Sequence, residues 1–64
     1  MTRSEQLRQE AAIHEREAGR LLRRASRLAD KGCVFMASDL SELAVRERAF
    51  AAQCRVAATN HEPE

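Results

Sequence analysis

The 64-residue sequence has few of the residues that hold a small domain together covalently or through a metal ion. It contains two cysteines, one proline, two glycines and two phenylalanines, and it has no tryptophan or tyrosine. Two cysteines without a ligand cluster at metal spacing argue against a disulfide scaffold and against a metal-stabilised module. A chain this short usually buries too little apolar surface to be stable alone without such a staple. The sequence therefore predicts self-association and no cofactor.

Long apolar runs are also missing. Residues 1–10 are mostly polar, which argues against a signal peptide, and no run approaches the roughly 20 apolar residues of a membrane span. We therefore expect a cytoplasmic protein without membrane contact. Cys33 and Cys54 fit this expectation, because about 21 helical residues would hold them roughly 31 Å apart, too far for an intrachain disulfide. They are expected to be free thiols in a reducing compartment.

The composition, rich in alanine, leucine, arginine and glutamate, indicates an all-α fold. In the first half, apolar residues alternate steps of four and three, the period of a coiled-coil seam. The members of this first ladder are Leu7, Ala11, His14, Ala18, Leu21, Ala25 and Leu28. Thr2 and Glu5 form a capping box before it, and Lys31 with Gly32 supplies a helix stop after it. A helix is predicted over about 3–31, followed by a turn near Gly32.

A second ladder with the same spacing predicts the second helix. Its members are Met36, Leu40, Leu43, Glu47, Phe50, Cys54 and Ala57, flanked by Ala37, Ala44, Ala51 and Ala58. The start stays open between Val34 and Asp39, because Asp39 and Glu42 form an alternative capping box. Residues 59–64 have no periodicity and include Asn60 and Pro63. The sequence thus predicts a helical domain over 1–58 and a disordered C-terminal tail over 59–64.

Folding the chain at Gly32 brings the large residues of the two ladders into register, with Leu21 opposite Leu43 and His14 opposite Phe50. This agreement predicts an antiparallel helical hairpin. One side of both apolar stripes would remain exposed in a lone hairpin. We therefore predict that two hairpins form a homodimeric four-helix bundle with two-fold symmetry, while a higher oligomer stays open.

His14 and Glu47 are the two polar residues on the ladders, roughly 4.5 Å apart along the axis in this register. The simpler interpretation is a polar pair that fixes register and partner choice at some cost in stability. The sharper interpretation is a dimer whose affinity responds to pH. A catalytic use of the pair with Cys54 as nucleophile lacks a cleft, and neither an HxxxH nor a CxxC spacing supports a metal site. We therefore predict no catalytic, cofactor-binding or metal-binding residue, and no enzymatic activity.

Basic charge is concentrated in the first half of the chain. Residues 1–32 carry eight basic and five acidic side chains, and residues 33–64 carry three basic and five acidic side chains. The candidate contacts to a partner or a phosphate are Arg16, Arg20, Arg23, Arg24, Arg27 and Lys31. No aromatic residue is interleaved for base stacking, and the first helix is too long for a helix-turn-helix. Three interpretations stay open: a solvated face, a dock for an acidic protein surface, and a nucleic-acid contact.

Two resemblances bear on the class of function. The residues Ala11, Ala12, Gly19, Ala25 and Leu28, followed by Ala44, Arg48, Phe50 and Cys54, resemble the AraC-negative-regulator family of short bacterial proteins. That resemblance implies binding to transcription activators or nucleoid proteins. In architecture, the length and the alanine and leucine seams resemble the repressor-of-primer family, whose hairpins dimerise into a four-helix bundle and bind paired RNA. We predict a small regulatory or adaptor protein that binds protein as a homodimer. The alternative is a nucleic-acid-binding regulator that uses the arginines of the first helix.

Overall fold

A computed structural model describes residues 2–61 of the chain. Within this range two helices, α1 (Arg3–Asp30) and α2 (Val34–Asn60), pack against each other as an antiparallel hairpin. The Cα atoms extend over 49 × 15 × 9 Å, so the molecule is a single layer of two helices. The predicted all-α helical hairpin is confirmed. Neither described helix has an apolar stretch that would carry it through a membrane.

Local hydrogen bonds define both ends of α1. At its start, the Thr2 hydroxyl accepts a hydrogen bond of 3.2 Å from the Glu5 amide. At its end, Gly32 adopts a φ of +85°, a left-handed conformation that favours glycine. The Gly32 amide donates to the Ala29 carbonyl over 3.0 Å, and the Cys33 amide donates to the Leu28 carbonyl over 2.8 Å. This is the Schellman pattern, and it produces the predicted turn at Gly32.

Helix α2 begins at the earlier of its two predicted starts, Val34, and ends two residues after its predicted end at residue 58. The Ala37 amide donates to the Cys33 carbonyl over 3.0 Å, so the first turn closes immediately after Cys33. The alternative start at Asp39 is therefore wrong. At the other end α2 continues to Asn60, and the Thr59 hydroxyl donates to the Arg55 carbonyl over 3.1 Å. The predicted tail thus begins at least two residues too early, and residues 62–64 lie outside the described part of the chain.

Alanine lines the contact between the two helices. The buried alanines, spaced seven residues apart on each helix, are Ala11, Ala18 and Ala25 of α1 and Ala37, Ala44, Ala51 and Ala58 of α2. Leu7 is buried near the open end of the hairpin, where the Ser4 hydroxyl also donates to the Ala58 carbonyl over 3.1 Å. Small side chains allow the helices to approach closely. The seam between α1 and α2 is therefore an alanine seam.

The alanine seam corrects the ladder predicted for α2. Leu40, Glu47 and Cys54 lie half-buried beside the seam, as do His14, Leu21 and Leu28 of α1. Ala57 is half-buried as well, whereas the large residues of the other row are exposed: Met36 at 55%, Leu43 at 43% and Phe50 at 53%. The alanines predicted to flank the seam occupy its centre instead. The reason is steric, because large side chains on the centre line would force apart two helices that alanine allows to approach closely.

Candidate protein-interaction surface

Three large apolar side chains form an exposed row along one flank of α2. Met36, Leu43 and Phe50 are seven residues apart, a spacing that keeps them on the same side of a helix. We call these three residues the α2 apolar row. Half-buried Leu28 and Leu40 line a shallow depression together with Met36, which extends the apolar surface toward α1. The row therefore belongs to a broader apolar flank of the hairpin.

The two helices differ in how their apolar residues are distributed. On α1 they lie mostly on the side that faces α2, as expected for a helix at a surface. On α2 they also occupy the outer side and the opposite flank, where the exposed examples are Val34, Phe35, Val45 and Val56. A helix that is apolar on several sides is typical of one covered by more than one neighbour. Helix α2 is therefore the better candidate for meeting a partner.

The predicted contact between His14 and Glu47 is present at the edge of the α2 apolar row. His14 Nδ1 lies 2.5 Å from Glu47 Oε2. The imidazole also packs on Phe50, with ring centroids 5.6 Å apart and planes tilted by 30°. The pair is thus one polar feature on an otherwise apolar flank.

The structure separates the residues that a catalytic interpretation would combine. Cys54 lies seven residues beyond Glu47, about 10 Å along α2, and its thiol donates to Glu10 Oε2 over 3.9 Å. Among residues 2–61, the thiol is thus hydrogen-bonded to Glu10 and not to His14. Within residues 2–61, no group of three or more histidine, cysteine, aspartate or glutamate side chains could hold a metal ion. Both cysteines are free thiols.

The other flank of the hairpin carries an ion pair that the sequence patterns did not reveal. Both terminal nitrogens of Arg55 donate to the Glu15 carboxylate, and the contact from Nη2 to Oε2 measures 2.7 Å. The hydrogen bonds from Arg55 lower the pKa of Glu15, and the same contact raises the pKa of Arg55. The pairing depends on which residues of α1 and α2 lie at the same height along the hairpin. The spacing of residues within a single helix does not contain this information, so it could not predict the ion pair. It links the helices on the flank away from the α2 apolar row.

The six basic residues singled out in the sequence all lie exposed along α1 and the start of the turn. We call this set the basic stripe: Arg16, Arg20, Arg23, Arg24, Arg27 and Lys31. Arg20 Nη1 donates to Glu17 Oε2 over 3.4 Å, which is a contact within one helix. Arg24 borders the depression that Met36 and Leu28 line, so the stripe meets the apolar flank at this point. Most of its positive charge faces away from α2.

The hairpin thus presents two kinds of surface, an apolar flank on α2 and a basic stripe on α1. Comparisons of the chain with protein-family models, with curated proteins and with solved structures find no match.

Proposed function

We propose that this protein is a non-enzymatic interaction module that acts as a homodimer, in the role of a small cytoplasmic regulator or adaptor. The observation that carries the proposal is the exposure of the α2 apolar row. The hairpin buries alanine between its helices and places large apolar side chains outside. A chain of this size buries little apolar surface when it folds alone, and its stability is correspondingly low. A partner that covers the α2 apolar row would bury more of this surface and so stabilise the folded hairpin.

Self-association is the first part of the proposal, and it is supported by the position of the row. Met36, Leu43 and Phe50 run along more than half of the length of α2 on one side. Covering them requires a surface of matching length, and a second hairpin supplies one. Most soluble homo-oligomers are two-fold dimers, in which the same patch is used by both copies.

A matched pair of variants tests self-association. We expect light scattering at micromolar concentration to give twice the chain mass of 7.2 kDa for the unsubstituted protein. L43E places a charge in the middle of the row and should yield a monomer. V45E is the control, because Val45 is 65% exposed but points to the other flank of α2. A folded monomer at this concentration, or equal effects of the two variants, would contradict the proposal.

The regulatory part of the proposal concerns a second protein. The basic stripe fits an acidic protein surface, and the resemblance to the AraC-negative-regulator family favours a transcription activator or a nucleoid protein as the partner. Affinity capture on the dimer, followed by mass spectrometry, identifies the partner. The captured protein should bind the purified dimer directly and should bind R20Q/R24Q/R27Q more weakly, especially at low salt.

A nucleic-acid-binding regulator is the second candidate, and the observation that favours it is the density of exposed arginine on α1. Arginine pairs well with phosphate. In a gel-retardation assay with mixed DNA and RNA, this candidate requires a shift that weakens with salt and is lost in R20Q/R24Q/R27Q. The absence of interleaved aromatic residues for base stacking makes a protein partner the better supported of the two.

A further inference from the structure

We infer that the homodimer is built from hairpins turned end for end, so that each α2 packs on the partner's α2 and each α1 on the partner's α1. The inference rests on the proposed homodimer. It specifies the surface that the two hairpins share, their relative orientation and the position of the two-fold axis. The occupant of the apolar flank is a second copy of this chain. The two-fold axis passes beside Leu43, at the middle of the α2 apolar row.

The α2 apolar row is symmetrical about its middle member. Met36 and Phe50 lie seven residues before and after Leu43, which is about 10 Å in each direction along the helix. A two-fold axis at Leu43 sets this residue against the partner's Leu43 and sets Met36 against the partner's Phe50. A flexible thioether adapts to the face or edge of an aromatic ring and makes favourable contacts with it. One symmetry operation thus covers all three exposed side chains of both copies.

The charges of α1 on the same flank reverse sign halfway along the helix. Glu10 lies 3.9 Å from the Cys54 thiol, and Arg24 borders the depression that contains Met36, so this edge of α1 adjoins the apolar flank. We call the residues at this edge, spaced seven apart, the α1 charge row: Arg3, Glu10, Glu17, Arg24 and Lys31. Arg3 begins the row at the open end of the hairpin, the two acidic residues follow it, and the two basic residues lie toward the turn.

An end-for-end partner brings unlike charges together. The contacts of Ser4 with Ala58 and of His14 with Glu47 place Leu43 level with the middle of α1, at residues 18–19. About an axis at this level, Glu10 and Glu17 come within about 4.5 and 6 Å in height of the partner's Arg24. A long arginine side chain spans such an offset. Glu10 also lies about 6 Å in height from the partner's Lys31, whereas the like charges are Glu17 with the partner's Glu17 and Arg3 with the partner's Lys31, each about 4.5 Å apart in height. Counted over both copies, about six unlike pairs stand against three like pairs, so the α1 charge row is on balance complementary to its own reversed copy.

The other two-fold arrangement, with both turns at the same end, lacks this complementarity. It sets α1 beside the partner's α2, so that the α1 charge row faces the α2 apolar row. The carboxylates and guanidinium groups would then lose water without gaining a partner of opposite charge. The order of charges on α1 thus selects the end-for-end arrangement.

The two cysteines lie at nearly equal distances from the proposed axis. Cys33 is ten residues before Leu43 and Cys54 eleven residues after it, about 15 and 16 Å along the helix. Both are half-buried. The end-for-end dimer therefore brings Cys33 level with the partner's Cys54. The same-end arrangement would instead bring each cysteine level with its own copy, and no arrangement links Cys33 to Cys54 within one chain.

Crosslinking with a short bis-maleimide tests this arrangement. Heavy and light isotopic forms of the full chain are mixed and exchanged, the dimer mass is measured by light scattering, and the thiols are then joined by addition to the reagent. Trypsin separates residues 32–46, which contain Cys33, from residues 49–55, which contain Cys54. L43E serves as the control for crosslinks that arise from random collision.

We expect heavy–light peptide pairs that join residues 32–46 to residues 49–55, and loss of the covalent dimer in each of C33S and C54S. Pairs that join like peptides, or a covalent dimer that persists in a single-cysteine variant, overturn the arrangement while the homodimer itself stands. A dimer by light scattering that yields no crosslink beyond the L43E level also overturns the arrangement. A monomer by light scattering overturns the homodimer and the arrangement together.

Discussion

His14 Nδ1 and Glu47 Oε2 lie 2.5 Å apart and connect α1 to α2 at a level where the neighbouring seam residues are alanine and leucine. Removing one partner leaves the other as a partly buried polar group, which costs about 1–2 kcal/mol. Removing both groups abolishes that penalty and completes the apolar ladder. We expect H14L and E47L each to lower the free energy of unfolding, and H14L/E47L to be at least as stable as the unsubstituted protein.

Urea denaturation of the four proteins at equal chain concentration measures this coupling. The double variant should exceed each single variant by about 1 kcal/mol or more. Additive losses in the double variant would show that the pair contributes through independent contacts, contrary to this expectation.

The pairing of Glu15 with Arg55 predicts a pH-dependent contribution to stability. Because hydrogen bonds from Arg55 lower the pKa of Glu15 below its usual value of 4.5, the contribution is present above that value. It is lost as the pH falls through the lowered folded value. We expect E15Q to reduce the melting temperature slightly at neutral pH, and the difference from the unsubstituted protein to vanish in acid.

Thermal melts at neutral and acid pH are suitable, with E42Q as the control, since Glu42 is exposed on α2. Subtracting the control removes the general effect of deleting one negative charge. A difference between E15Q and E42Q that is the same at both pH values would contradict the expected role of the ion pair.

The alanine seam predicts strong sensitivity to side-chain size at buried positions of α2. Ala44 is buried against α1, whereas Ala49 is exposed on the outer side of the same helix. A leucine at position 44 would push the helices apart, and overpacking of this kind costs about 1–3 kcal/mol. We therefore expect A44L to lower the melting temperature clearly, while A49L stays close to the unsubstituted protein. Comparable melting temperatures for the two variants would contradict the position of the seam.

Replacing each of the two glycines by alanine should change the stability of the hairpin in opposite directions. Gly19 lies inside α1, where an added Cβ would meet only the flexible end of Arg23, at 3.3 Å. Alanine there should stabilise the hairpin by about 0.5–1 kcal/mol. Gly32 has a φ of +85°, which alanine adopts at a cost of roughly 1–2 kcal/mol. Circular-dichroism melts of G19A and G32A test the pair, and a shift in the same direction for both would contradict this expectation.

The helices and the turn were predictable because their signals are local. Thr2 and Glu5 mark the start of α1, and Gly32 marks a stop that needs only the hydrogen bonds of its neighbours. The C-terminal end of α2 was harder to predict from the sequence, because Thr59 and Asn60 have weak helix propensity. The placement of the basic stripe on an exposed side also follows from helical spacing alone.

Local sequence signals could not predict the rotation of α2 about its own axis, which decides which of its residues face α1. Met36 and Ala37 begin two rows that run side by side along the helix, and hydrophobicity favours the row of large residues. Which row faces α1 depends on the size of the residues opposite, a property of both helices together. The prediction therefore placed Leu43 and Phe50 inside the hairpin, and the structure places them outside.

The alanine seam has a consequence for how the amount of folded protein would be set in the cell. About half of the surface of Met36, Leu43 and Phe50 is still in contact with water in the lone hairpin, so the proposed homodimer would gain much of its free energy only when two chains meet. Folding would then obey mass action, and the midpoint of unfolding would rise with the concentration of the chain. Below a threshold of synthesis, free chains would unfold and be degraded. A regulator of this kind would be active only after its own abundance has passed that threshold.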